Sequence, residues 1–126
     1  HDKRMRKGDG LAADALPPAY YGPADAAHLL IAWGSTYGPC REAVDRLNAA
    51  GGSTAMLHFA QVWPIAVEAT RAALAGRRRI TVVEGNGTGQ FALTLREAGI
   101  DYAYDMLLRY DGMPFTAEYL AERIGA

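Results

Sequence analysis

The 126 residues include one cysteine, have a formal net charge of −1, and are 50% hydrophobic and 21% charged. That is enough chain for one domain with a core of its own, and it excludes an internal disulfide, a global basic field for nucleic acid and a strongly acidic chain. No apolar run approaches the roughly 20 residues of a membrane helix, so neither nucleic acid nor a membrane is an expected partner. The basic start Lys3-Arg4-Met5-Arg6-Lys7 leads into no apolar stretch, so it is not a signal peptide, and cytoplasm is the expected compartment. Five residues of this kind read as a solvated arm.

The chain opens on His1 rather than Met, and the arm runs into Leu16-Pro17-Pro18-Ala19-Tyr20-Tyr21-Gly22-Pro23. Residues 1–26 therefore read as a charged arm and Pro-containing linker, and residues 27–126 as the domain. The whole is expected to be a detached piece of a larger enzyme. From residue 27 the pattern alternates. His28-Leu29-Leu30-Ile31-Ala32-Trp33 predicts a strand buried on both faces. Pro39 suits the first turn of a following helix, with Ser35 or Thr36 as its cap. Cys40, Ala43, Val44 and Leu47 recur at helical spacing, Arg41–Asp45 and Glu42–Arg46 can pair outside, and Gly51-Gly52 ends the helix. Thr54 to Phe59 predicts a second strand and Ile65 to Leu74 a second helix. Arg79-Ile80-Thr81-Val82-Val83-Glu84 is the clearest strand, being β-branched and apolar. A third helix puts Phe91, Leu95 and Ala98 on one face. Tyr104 to Arg109 predicts a fourth strand, and a last helix is capped by Thr116 and anchored by Leu120 and Ile124. Alternation of this kind predicts an α/β fold of three layers, a doubly wound, mostly parallel sheet of about four strands.

Ligands of such sheets bind beyond the carboxyl ends of the strands, where the strand order reverses. The polar, Gly-containing loops there are Gly34-Ser35-Thr36 and Gly85-Asn86-Gly87-Thr88-Gly89-Gln90. They meet if the first and third predicted strands are neighbours. The second loop is neither a P-loop, lacking Gly-Lys-Ser/Thr, nor a dinucleotide fingerprint, since Gln90 replaces the last glycine. It reads as a tight turn, a contact surface for another chain, or an anion site using backbone N–H groups. Ser35, Thr36, Asn86, Thr88 and Gln90 are its candidate side chains, and a stand-alone nucleotide- or phosphate-binding module is the alternative function. Cys40 and His58 are the only pair resembling a nucleophile and base, but Cys40 also fits the apolar helix stripe. His1, His28 and His58 lack metal-ligand spacing. Trp33 and Trp63 read as core or rim, and Asn86-Gly87-Thr88 is a glycosylation sequon only in a secreted context. No catalytic residue and no metal site is expected.

Four segments occur together in order: Ala32 to Thr36; His58-Phe59 with Val62-Trp63-Pro64; Val82 to Asn86 with Gly89-Gln90; and Leu108-Arg109-Tyr110-Asp111-Gly112-Met113-Pro114-Phe115. With the opening Asp2 to Lys7, this set resembles the C-terminal domain of the α subunit of 2-oxoacid:ferredoxin oxidoreductases, the 2-oxoglutarate and pyruvate synthase group. The resemblance implies a transketolase C-terminal-like fold, with the predicted strands in the order second, first, third, fourth. It implies a parent reaction, the coenzyme A-dependent oxidative decarboxylation of a 2-oxoacid such as 2-oxoglutarate or pyruvate, with electrons passed to ferredoxin. It implies that thiamine diphosphate and magnesium are held by other domains and iron–sulfur clusters by other subunits, so that this chain binds no cofactor. It implies as partners the beta subunit and gamma and delta subunits where present, in a non-catalytic, assembly role. An isolated fragment is expected to be inactive. One position departs: Gly85 stands where the resemblance implies a second polar residue.

Overall fold

The structure is a computed structural model, and it describes residues 16–60, 64–85, 89–109 and 113–125. The arm Lys3 to Lys7, Val62-Trp63, the sequon and Tyr110 to Gly112 lie outside the described residues. The apolar runs become strands β1 (Ala19–Tyr21), β2 (His28–Trp33), β3 (Thr54–Phe59), β4 (Arg79–Glu84) and β5 (Tyr104–Leu108). They form one sheet in the order β1-β3-β2-β4-β5. The last four strands are parallel and stand in the order the resemblance implied. The expected count of about four strands is corrected to five among the described residues. Ala19-Tyr20-Tyr21, read as linker, pairs antiparallel with Met56 to His58 of β3. A three-residue edge strand between prolines has no period to detect, and it is made by tertiary pairing rather than local pattern.

The described residues form four helices, α1 (Tyr37–Ala49), α2 (Val67–Leu74) and α3 (Gln90–Glu97), which join successive parallel strands, and α4 (Ala117–Gly125), which follows β5. The end of α1 is tied to the start of β3 by the Asn48 side chain. Its Nδ2 donates to the Thr54 carbonyl and its Oδ1 accepts the Thr54 N–H, both at 2.8 Å. Thr116 caps α4, accepting the Tyr119 N–H at 3.1 Å. The expected pair Glu42–Arg46 forms at 3.0 Å, but Arg41 and Asp45 do not pair with each other. Instead Tyr21 of the unforeseen strand draws both: its hydroxyl donates to Asp45 at 2.7 Å and its ring lies 4.6 Å under the Arg41 guanidinium.

Side-chain alternation along the strands builds a core on each face of the sheet. Leu29, Ile31, Leu57, Phe59, Ile80 and Val82 point to one side, where Leu74 of α2 and Phe91, Ala92 and Leu95 of α3 cover them. Leu30, Ala32, Met56 and Val83 point to the other, under Cys40, Ala43 and Val44 of α1 and Leu120 and Ile124 of α4. Both strand faces are thus buried, which is why these segments read as continuous apolar runs. Among the described residues no helix is long and apolar enough to cross a membrane.

The amino ends of the strands carry a polar cluster. His28 Nε2 lies 2.7 Å from Thr81 Oγ1, and Arg79 pairs with Asp105 at 2.6 Å beside it. Burial, and then the Arg79 charge, hold the His28 imidazole down at about 4, with Asp105 opposing. The unfolded chain takes up a proton near pH 6.5 that the folded chain refuses until about pH 4. The resulting stability is complete above that window and is lost as pH falls through it. Discounted for solvent screening, the expected loss between about pH 7 and about pH 4.5 is ~1–2 kcal/mol. Urea unfolding of the wild type and His28→Gln at both pH values checks this; equal losses in the two proteins would refute the assignment to His28.

Candidate functional site

β2 and β4 lie side by side, Leu29 opposite Ile80 and Ile31 opposite Val82. The turns that leave their carboxyl ends therefore meet. The chain departs β2 through a single 3-10 turn, Gly34–Thr36, and departs β4 at Gly85. Between them lies a pocket of about 180 Å³ lined by Trp33, Gly34, Ser35, Thr36, Val83 and Gly85. This is where the strand order reverses, since β2 feeds β3 on one side and the chain then crosses to β4 on the other. The half-buried Trp33 is a rim residue, its ring tilted against Phe91 at a centroid distance of 6.1 Å.

Of the five candidate side chains, Ser35 and Thr36 line the pocket. Asn86 and Thr88 lie outside the described residues, and Gln90 is exposed as the first residue of α3 and lines no part of the pocket. The expected cap of α1 is corrected: neither Ser35 nor Thr36 hydrogen-bonds the helix start through its side chain. Thr36 Oγ1 instead donates back to the Trp33 carbonyl at 2.8 Å, which closes the 3-10 turn on itself.

A residue not foreseen as functional organises the second turn. Gly89 stands at the N-cap of α3 with φ +70°, a left-handed conformation suited to glycine, and it has no side chain to cap the helix. Glu84, fully buried at the end of β4, supplies the cap from a distance: its Oε2 accepts the Phe91 N–H at 3.0 Å. Its Oε1 has no hydrogen-bond partner among the described residues. A carboxyl oxygen thus already holds a helix N–H that an incoming anion would need. The sequence signal was indirect: a helix that begins after glycine has no cap side chain of its own, which leaves its first N–H groups to water or to an acceptor from elsewhere.

Cys40 and His58 do not form a nucleophile–base pair. Cys40 is wholly buried in the core under α1, and burial pushes its thiol up to about 12. His58 Nε2 is 2.9 Å from the Gly34 carbonyl, and its ring meets Tyr37 edge-on at 4.9 Å. Alkylation of Cys40 in the native protein near pH 8 is expected to run at least ~1000-fold slower than that of a free thiol, because it needs both opening and ionisation. Labelling by iodoacetamide with mass detection tests this; rapid modification would return Cys40 to the list of reactive groups.

No protein-family model matches the chain. The α subunit of 2-oxoacid:ferredoxin oxidoreductase 1 from Aeropyrum pernix is 30% identical over 125 residues, 97% of this chain and 19% of that subunit. Its counterpart from Sulfurisphaera tokodaii is 26% identical over 128 residues, 98% of this chain and 20% of that one. The chain spans about a fifth of the length of these curated relatives. Among solved structures, the 2-oxoglutarate:ferredoxin oxidoreductase from Magnetococcus marinus, determined with 2-oxoglutarate, coenzyme A and succinyl-CoA bound, superposes with a TM-score of 0.87 at 29% identity. The match covers 99% of this chain and 22% of that one. The alpha chain of a probable 2-oxoacid ferredoxin oxidoreductase from Thermoplasma acidophilum shares the fold, with a TM-score of 0.58 at 24% identity over 86% of this chain and 94% of that one.

Proposed function

From a chain related along nearly its whole length to a fifth of the α subunit of 2-oxoacid:ferredoxin oxidoreductases, we propose a non-catalytic assembly domain of such an enzyme, with the transketolase C-terminal-like fold. The parent reaction is the coenzyme A-dependent oxidative decarboxylation of a 2-oxoacid, 2-oxoglutarate or pyruvate being the leading substrates, with electrons passed to ferredoxin. The observation that carries the reading is the match to the Magnetococcus enzyme, end to end in this chain and partial in that one. The domain extends upstream of residue 27 to include β1, with residues 1–15 as its charged arm.

The cofactors of the parent complex belong to its other parts in this reading. An iron–sulfur cluster calls for several thiolates, and this chain has one cysteine, buried in the core. Among the described residues no three His, Cys, Asp or Glu side chains come together as metal ligands. The donor set does not fit a cluster, and we place thiamine diphosphate and its magnesium on other domains as well. The partners are the rest of the α subunit, the beta subunit, gamma and delta subunits where they exist, and ferredoxin through the complex, in the cytoplasm. In this reading Ser35, Thr36, Asn86, Thr88 and Gln90 belong to a docking surface rather than to a ligand site.

Isothermal calorimetry of the purified chain with thiamine diphosphate and magnesium tests the reading, with no binding heat expected. Binding at Kd of about 10 μM or tighter, near −7 kcal/mol, would overturn it.

A further inference from the structure

A cluster of aromatic and cationic side chains continues the pocket surface across the start of α1. Tyr37, exposed by 37%, follows directly on the Gly34–Thr36 turn. Its ring meets His58, and His58 is tied to the Gly34 carbonyl in the pocket wall. One helical turn further, exposed Arg41 donates to the Tyr37 hydroxyl at 3.3 Å and lies over the Tyr21 ring at 4.6 Å. Tyr21 is itself fixed by its hydrogen bond to Asp45. The ion pairs among the described residues, Arg46–Glu42, Arg46–Glu118, Arg79–Asp105 and Arg96–Asp101, leave Arg41 out.

Two tyrosines therefore hold a guanidinium on the surface, with the Asp45 carboxylate on the Tyr21 hydroxyl and no direct ion pair to it among the described residues. An arginine clamped this way has already lost much of the rotamer freedom that docking would take from it. The described residues that line the recess carry no charge. A recess lined by Trp33, with Tyr37 and Arg41 on the helix that leaves it, combines the residue types enriched at interface centres. Charge complementarity selects the visitor: an apolar side chain for the recess and a carboxylate for Arg41. The relatives carry this fold as about a fifth of one longer polypeptide, so the rest of that polypeptide is the partner present at the highest effective concentration.

Resting on the assembly reading, we propose that the surface formed by the pocket, Tyr37 and Arg41 receives an acidic segment of the same longer polypeptide, with one apolar side chain entering the pocket and one carboxylate pairing with Arg41. The test places the photocrosslinker p-benzoylphenylalanine at Ser35, an exposed lining residue, in the complete natural polypeptide with its co-expressed subunits, and identifies crosslinked peptides by mass spectrometry. The expected product joins position 35 to an Asp- or Glu-containing segment of the same polypeptide outside residues 16–125. Its yield should fall at least ~5-fold in Arg41→Glu and stay above about half in Arg41→Lys, a fold-change corresponding to ~1 kcal/mol of coupling. Thermal unfolding of each variant confirms that the fold is kept. Crosslinks to a second copy or to another subunit, a captured segment without carboxylates, or a yield indifferent to Arg41→Glu would overturn the proposal while leaving the assembly reading standing. Absence of any crosslink outside the domain would overturn it too, and binding of thiamine diphosphate by the isolated chain would separately remove the assembly reading.

Discussion

Glu84→Ala is expected to destabilise the domain by ~2–4 kcal/mol, although it removes a polar residue from an apolar sheet. Glu84 is fully buried, and its Oε2 holds the Phe91 N–H. Truncation leaves that donor in the interior without an acceptor, at a cost of about 1–3 kcal/mol, and opens a void where the side chain stood. Glu84→Gln keeps an acceptor oxygen and should lose only about 1 kcal/mol. Urea unfolding of the three proteins, with hydrogen exchange at Phe91, measures both effects. An alanine variant within ~0.5 kcal/mol of wild type would mean that residues 86–88 or water take over the cap.

Phe91→Ala should cost slightly more, ~3–5 kcal/mol. The ring is 2% exposed, meets Phe59 edge-on at 5.0 Å and is tilted against Trp33 at 6.1 Å. It therefore joins α3, β3 and the pocket rim in one contact set, and aromatic pairs of this geometry add to the burial itself. In a domain of this size each kcal/mol lowers Tm by roughly 3–6 °C, so a drop of roughly 10–30 °C is expected in a thermal melt. The near-UV circular dichroism of the folded variant should also change as Trp33 loses its neighbour. A melt shifted by less than about 5 °C would show that the core closes over the site.

What was legible in the sequence was whatever a local pattern encodes. The β-branched run Ile80 to Val83 and the apolar runs of β2 and β3 were readable because burial on both faces leaves no polar alternation to confuse them. The helix stripes Cys40-Ala43-Val44 and Phe91-Leu95 were readable by their period. Strand order is a tertiary property without a local signal, and it came through the resemblance. The meeting of the Gly34–Thr36 and Gly85 turns followed from that order, so the pocket was anticipated, whereas the side chains around it were less so. Arg41 and Asp45 were expected to pair because helical spacing allows it, but Tyr21 intervenes from a strand assigned to a linker. Glu84 was read as the end of a strand, because the helix it caps begins six residues later. Tyr21 is distant in sequence from Arg41 and Asp45, and Glu84 lies outside the helix it caps, so neither partner belongs to a local pattern.

β1 has a consequence for handling the protein that its three residues would not suggest. It covers the outer edge of β3, whose sequence Thr54-Ala55-Met56-Leu57-His58-Phe59 contains no Asp, Glu, Lys or Arg and no proline. An uncovered edge of that composition is a template for intermolecular strand pairing and aggregation. A version cut at residue 27 would keep every helix and all four parallel strands, and would expose that template along its whole length. Because β1 precedes β3 in the chain and Ala19 pairs with His58, the cover is synthesised before the edge it protects.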